Sequence, residues 1–529
     1  MSEIDTTAEA TLPSVALPAA RDYRSERLVL TIIFHPDTTR IGEVADLGTA
    51  GSPRQQVLGR LQPCFRSTRS RDQERPLEDG HVSRSALGLA WRGQQLLVER
   101  GATETRCQVD GTELVASISL QVAQLHRGVA ILLGHSVVLL LRLGDAPPAG
   151  LTGGDSGIIG SSAYAANLSR QITEAAGNDL DVLIRGETGT GKELVATAIH
   201  AASRRAGAAL VAVNMAAIPE GLAPAVLFGA ARGAYTGADS ATAGYFQQAE
   251  GGTLFLDEVG DTAPEVQPQL LRALQEREIQ VVGGPVRRVD VRVVSATDAE
   301  LEGGSGEFRS ALRHRLGALE ISLQPLREHP EDIGELWWHF LRREFAASGR
   351  PELLPGEDSP PLEIARWADL FHRCLRYPWA GNVRELGNRA RQVALSSRSR
   401  LEPPRDLYAV LEAHVEGPAD AAAAGGPAPP GRRMGSIGAE EFYQVWEAQG
   451  YEVAAIARSL GVSRQSVYRR MEAAADIRTA GDVSARELTD CLAEAAGDLR
   501  QVAHSLRVSH SGLLGRARQL GVVSRGSND

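Results

Sequence analysis

The chain has 529 residues, 43% of them apolar and 23% charged, with a formal net charge of −10. This length excludes a single small module, and the composition predicts three or four folded domains rather than a disordered or fibrous chain. The negative balance gives no global attraction to nucleic acid, so any DNA contact requires a local cluster of arginines. Cys64, Cys107, Cys374 and Cys491 are dispersed and form no CxxC pair or Cys/His cluster, which argues against structural zinc and disulfides and fits a reducing compartment. No apolar run reaches the roughly 18 residues of a membrane helix, and no secretory pattern opens the chain. A cytoplasmic protein without membrane attachment is expected.

In chain order, residues 1–27 read as a flexible tail. Residues 28–145 carry β-type runs, among them Leu28 to Phe34, Gln95 to Val98 and Val137 to Leu141, separated by Gly and Asp turns, the pattern of a β-sandwich. Residues 146–157, rich in Gly and Pro, read as a linker. Over 158–327 strand-like runs alternate with helical patterns, predicting an α/β domain, and 328–400 read as its helical lid. A second linker, 401–438, is dominated in its later part by Ala, Gly and Pro. The remainder is helical in pattern and contains a repeat: a shift of 46 places Ala457, Ser459, Leu460, Val462, Ser463 and Arg470 on Ala503, Ser505, Leu506, Val508, Ser509 and Arg516. The two copies occupy 439–478 and 479–529.

Of 56 basic residues only Lys192 is a lysine. A compact ammonium on a flexible stem does what a broad guanidinium cannot, and the surroundings say what. The apolar run Asp181 to Ile184 leads into Gly186-Glu187-Thr188-Gly189-Thr190-Gly191-Lys192-Glu193 and then into a helical pattern. Strand, glycine loop, lysine and helix is the order of a P-loop, in which backbone N–H groups converge on phosphate oxygens and the lysine reaches the β and γ phosphates. About sixty residues on, an apolar run ends in Asp257 and Glu258. The first suits a Mg²⁺ ion beside the phosphates of ATP, the second a base that orients water.

On these motifs, residues 158 to about 395 resemble the AAA+ domain of bacterial enhancer-binding proteins, the activators of sigma-54 RNA polymerase. The family usually carries Glu at the position of Glu193. Gly233-Ala234-Tyr235-Thr236-Gly237-Ala238 is similar to the family's GAFTGA loop, with Tyr235 in place of Phe. The resemblance implies that this loop contacts sigma-54 when ATP is bound, and that Asn214 couples the catalytic Glu258 to the nucleotide state. It also implies that Arg309 and Arg315 act on a neighbouring subunit's γ-phosphate and that Arg384, in Trp379 to Leu386, senses phosphate from the lid. A ring-forming homo-oligomer, a hexamer by family expectation, follows. Two departures stand out. Asp298 occupies the position of the family's sensor asparagine, an acceptor-only charge near phosphate, and Ala230-Ala231 replace the polar pair before the loop.

The N-terminal region resembles a forkhead-associated domain, on Gly59-Arg60, Val82-Ser83-Arg84 and Val109-Asp110-Gly111. The resemblance implies a phosphothreonine-protein partner, a Ser/Thr kinase or its substrate, held by Arg60, Ser83, Arg84 and the segment at Thr105. Ala86 and Thr105 replace the family's His and Asn, which leaves a protein contact without phosphate as the alternative. The module, tethered by a short linker, is expected to touch the ATPase in only one of two states. The C-terminal region resembles a Fis-type helix-turn-helix. Ser463, Arg464, Gln465, Tyr468, Arg469 and Arg470 would face enhancer DNA, and the second copy would bind DNA weakly or pair subunits. Together these features point to a regulator that hydrolyses ATP to remodel sigma-54 holoenzyme; a DNA-binding repressor with an impaired ATPase is the alternative.

Overall fold

The computed structural model describes residues 26–67, 74–145, 157–234, 240–298, 310–413 and 437–449, with shorter stretches between 451 and 517. The chain divides into two compact units, residues 1–416 and 417–529.

The first unit opens with two antiparallel sheets. In the larger, Arg27–Phe34 lies between Val44–Thr49 and Val137–Gly144, and the latter pairs onward with Val129–Leu133. The smaller runs Ser117–Gln121, Gln95–Arg100, Leu87–Arg92, Gln56–Leu58. The central strands of the larger sheet are apolar almost throughout because both of their faces are covered. Leu28, Leu30, Ile32, Val137, Leu139, Leu141, Val129, Ile131 and Leu133 point into the sandwich. The alternate residues Ile33, Phe34, Val138, Leu140, Ala130 and Leu132 belong to a second core, shared with the lid.

The α/β domain is a five-stranded sheet whose paired strands are parallel, in the order Leu210–Asn214, Thr253–Asp257, Arg292–Thr297, Val182–Arg185, Leu319–Ser322. The strand that feeds the P-loop is therefore internal, and the carboxyl ends of Val182–Arg185 and Thr253–Asp257 open on the same edge, where ligands of such sheets bind.

The lid comprises Ile333–Ala347, Pro361–Arg376, Asn382–Ser396 and Arg405–Ala413. Pro361 opens its helix at the position where a missing N–H costs nothing, and Ile364, Trp367, Ala368 and Phe371 form one buried stripe. Phe371 meets Phe34 of the sandwich at 4.8 Å between ring centroids. A methyl group on Gly334 would lie 2.7 Å from the carbonyl oxygen of Ile33, so helix and strand touch backbone to backbone. At about 1.5–3 kcal/mol per large apolar side chain, burying Ile33, Phe34, Leu132, Val138 and Leu140 here contributes on the order of 10 kcal/mol, an upper bound. The sandwich is thus docked on the lid within the first unit. The lid also runs past residue 400. Residues 405–413, expected within a linker, are helical because Leu407 and Leu411 fill the lid core and Arg373 lies 5.1 Å over the Tyr408 ring.

In the second unit the 46-residue shift maps structure onto structure. Helix Ala439–Ala448 becomes Ala485–Glu494, and the buried Ile437, Phe442, Ile456, Val467 and Met471 become Val483, Leu488, Val502, Leu513 and Ala517. Each copy has its own small core. In the second, Arg507 stands where the first has Gly461 and takes the left-handed conformation with φ 53°, while Val508 N–H donates to the Ala503 carbonyl at 3.0 Å. The helix-ending turn survives the loss of glycine, at a cost of about 1 kcal/mol.

Candidate active site

The P-loop is built from sharp backbone turns that its glycines permit. Gly189 has φ +85° and Gly191 φ +101°, and a methyl group on Gly189 would lie 2.3 Å from the Gly381 carbonyl oxygen of the lid. Lys192 opens helix Lys192–Ala201 and is 7% exposed. Its ammonium donates to the Gly186 carbonyl at 2.9 Å and lies 3.6 Å from Glu258 Oε1. The lysine is held by the loop's own oxygen and the neighbouring carboxylate, both of which a polyphosphate would displace or share.

Asp257 ends strand Thr253–Asp257, and Glu258 follows in the left-handed region, φ 51° and ψ 49°. Non-glycine residues hold this conformation at a cost, and it turns the Glu258 carboxylate into the cleft. Burial raises the Glu258 carboxyl above the ordinary carboxylate range; the charges of Asp298 and Asp257 push the same way, and Lys192 opposes them. Asp298 accepts from the Thr188 hydroxyl at 2.7 Å, and its N–H donates to Glu258 Oε2 at 3.4 Å. The odd aspartate therefore sits between the P-loop and the candidate base.

A cleft of about 280 Å³ is lined by Thr188, Gly191, Lys192, Glu193, Asp257 and Glu258 on one side and by Phe340, Arg343, Val383, Arg384, Asn388 and Arg391 of the lid on the other. Arg384, the lid arginine singled out in the sequence, lines this cleft together with the P-loop. Phe340, with Arg343 5.1 Å over its ring, and Arg391 were not singled out from sequence. Arg384, Gly387, Asn388 and Arg391 recur at helical spacing along Asn382–Ser396, and that signal was available. Glu187 does not face the cleft as a free ligand. Arg327 gives its carboxylate two hydrogen bonds, 2.8 and 2.6 Å, and Asn382 a third at 3.2 Å. The Arg327 bonds hold Glu187 below the ordinary carboxylate range.

Asn214 lies opposite Asp257 in strand register, and its side chain accepts from the Ala217 N–H at 3.3 Å. Arg315 is pinned within its own chain, donating twice to the Leu274 carbonyl at 3.1 and 2.9 Å. Arg309 and Tyr235, Thr236, Gly237 and Ala238 lie outside the described residues, whereas Gly233 and Ala234 lie within them, beside the hairpin turn at Gly283.

In the sandwich, the Arg60 and Ser83 loops touch: Arg60 N–H donates to the Ser83 carbonyl at 2.8 Å, and a methyl on Gly59 would lie 2.2 Å from the Arg84 carbonyl oxygen. The Ser83 hydroxyl accepts from Thr103 at 2.6 Å and from Thr105 at 2.8 Å. Thr105 is buried, 5% exposed, so it stiffens Ser83 from beneath instead of meeting a ligand. In the second unit Arg470 lies 5.8 Å over the Phe442 ring. Ser463, Arg464, Gln465, Tyr468 and Arg469 lie outside the described residues. Among the described residues no helix is long and apolar enough to cross a membrane.

A parallel sheet with this loop, lysine, carboxylate pair and lid defines an AAA+ P-loop ATPase domain. Residues 158–322 match the family model of the sigma-54 interaction domain. The chain is 42% identical over 318 residues to the Nif-specific regulatory protein of Klebsiella pneumoniae, covering 59% of this chain and 58% of that protein. It is 37% identical over 335 residues to the transcriptional regulatory protein ZraR of Escherichia coli K12, covering 62% and 71%. Brucella abortus NtrX in complex with ATP is 28% identical, with 60% and 69% covered and a TM-score of 0.41. The matched region spans just over half the length of the Nif-specific regulatory protein. The chain belongs to the family of sigma-54-dependent transcriptional activators.

Proposed function

We propose that this protein binds and hydrolyses ATP in the cleft between P-loop and lid and uses the cycle to remodel sigma-54 RNA polymerase holoenzyme at promoters. The observation that supports this most directly is the convergence of Lys192, Asp257, Glu258 and Arg384 on one cleft. In this reading Lys192 moves from Gly186 and Glu258 onto the β and γ phosphates, and backbone N–H groups of 188–192 wrap them. Glu258, with a raised carboxyl affinity for protons, takes the proton of the attacking water. Arg384 draws the lid toward the γ-phosphate. Among the described residues no three metal-ligating side chains converge. The Asp257 carboxylate, at a strand end and lining the cleft, fits Mg²⁺, which takes one or two carboxylates and completes its shell with phosphate oxygens and water. Asp257 would hold it, and when bound it would neutralise charge on the phosphates.

The 233–238 loop would carry the contact to sigma-54 through Tyr235 and Thr236, in a ring, by family expectation a hexamer, completed by Arg309 and Arg315. Arg315 would have to leave the Leu274 carbonyl to serve a neighbour's γ-phosphate. The first helical copy would bind enhancer DNA. The sandwich would accept a phosphothreonine peptide through Arg60, Ser83 and Arg84, with Ser83 oriented by Thr103 and Thr105. ATP hydrolysis by the full chain and by Lys192→Ala tests the core of the reading: activity in the wild type and its loss in the variant are expected, and near-normal turnover by the variant removes the assignment.

A further inference from the structure

Residues 326–332 form a short strip of two tight turns between the sandwich and the P-loop, and each side grips it with named bonds. On the P-loop side, Leu326 N–H donates to Asn382 Oδ1 at 2.8 Å while Asn382 Nδ2 donates to the Thr188 carbonyl at 3.1 Å as well as to Glu187. Arg327 closes the ion pair with Glu187, and two residues past Asn382 the Arg384 N–H donates to the Gly189 carbonyl at 3.1 Å. Asn382 is fully buried with φ 53°, a strained position held by these bonds. On the sandwich side, Arg142 forms an ion pair with Glu331 and donates to the Glu328 carbonyl at 2.7 Å. Its own Nε donates to the His126 carbonyl at 3.0 Å, which fixes the guanidinium to the sandwich. Asp332 accepts from Ser161 and Ser162 N–H, both at 3.0 Å, and the Ser161 hydroxyl donates to the Gly42 carbonyl of the sandwich at 3.1 Å.

We infer that Arg142 of the sandwich is a positioning residue for ATP binding, acting through the strip 326–332 to hold Arg327 on Glu187 and Asn382 on the P-loop, and so to set Arg384 across the cleft. This rests on the reading of the cleft as an ATP site. The physical reason is that the strip is too short to absorb movement. A shift at Glu328 or Glu331 is passed within a few residues to Leu326 and Arg327, whose partners are P-loop atoms. A ligand that strains the sandwich would thus alter nucleotide affinity by shifting Arg384 against the P-loop.

The test is steady-state ATP hydrolysis by the full-length chain, with thermal melting as a check on folding. Arg142→Ala and the isosteric Glu331→Gln are expected to raise KM for ATP about fivefold while leaving kcat within about twofold, the pattern of lost ground-state binding. Arg142→Lys, which keeps a positive charge for Glu331 and a donor for the Glu328 carbonyl, is expected to bring KM back toward wild type, which a role in stability alone would not produce. If both single variants melt normally and keep wild-type KM, or if Arg142→Lys leaves KM as high as Arg142→Ala, the inference is overturned. Lys192→Ala runs alongside. Hydrolysis persisting there would remove the reading of this cleft as the ATP site, whereas an inactive Lys192→Ala beside an unaltered Arg142→Ala would remove only the coupling.

Discussion

Replacing Asp298 by Asn removes one charge beside Thr188 and Glu258 and little else, because the amide oxygen can still accept from the Thr188 hydroxyl that Asp298 engages at 2.7 Å. That hydroxyl belongs to the P-loop, so the Asp298 carboxylate lies within a few ångströms of where phosphates would sit. Two unit charges about 4 Å apart interact with about 1 kcal/mol in a water-like medium and about 4 kcal/mol at an effective dielectric of about 20. Asp298 is exposed, so the lower figure applies, and Asp298→Asn should tighten ATP binding about fivefold. The same change acts on Glu258, whose carboxyl is raised first by burial and then by the charges of Asp298 and Asp257. With Asp298 neutral, Glu258 ionises at lower pH. Since the base must be ionised to accept a proton, the acid limb of the kcat/KM profile should move to lower pH in the variant. Equilibrium titration with a fluorescent ATP analogue gives the affinity, and pH profiles of hydrolysis from about pH 5 to 8 give the limb. Unchanged affinity together with an unmoved acid limb would refute the placement of Asp298 between phosphate and base.

Lys192→Arg should be nearly as damaging as Lys192→Ala, because the Lys192 side chain is buried with its ammonium on the Gly186 carbonyl and a guanidinium is broader; ATP binding by calorimetry checks this. Tyr235→Ala should keep substantial ATPase activity yet fail to form open complexes, and transcription at the wild-type level would contradict the sigma-54 contact. Phe371→Ala should destabilise the first unit by about 3–5 kcal/mol, since the ring is fully buried against Phe34, and denaturant melts should show sandwich and lid lost together. Arg60→Ala should remove most of the affinity for a phosphothreonine peptide by calorimetry; equal binding of phosphorylated and plain peptides would make the sandwich a phosphate-independent contact module.

The candidate site was legible because its features are local in sequence: a loop that must turn left-handed at Gly189 and Gly191, one lysine, and two carboxylates at a strand end. What was illegible depends on long-range packing. Arg327 and Asn382 reach Glu187 from 140 and 195 residues away, and nothing in their own neighbourhoods marks them as its partners. The docking of the sandwich did leave a trace. Runs such as Val137 to Leu141 are apolar at every position, where a sheet with one wet face alternates, and the unbroken run signals the second covered face that the lid supplies. Thr105 reads from sequence as a ligand-facing position; only its burial beneath Ser83 shows its supporting place. The C-terminal repeat was visible as an alignment of residues, and the equivalence of its two cores follows from the same 46-residue spacing.

The most direct test of the account is promoter opening on a sigma-54 promoter reconstituted with sigma-54 holoenzyme, the full chain and ATP, with permanganate footprinting as the readout. Opening that requires hydrolysable ATP and disappears with Lys192→Ala is the expected result. Opening that proceeds equally with Lys192→Ala, or no opening although the wild-type chain hydrolyses ATP and binds the promoter's upstream DNA, would contradict it.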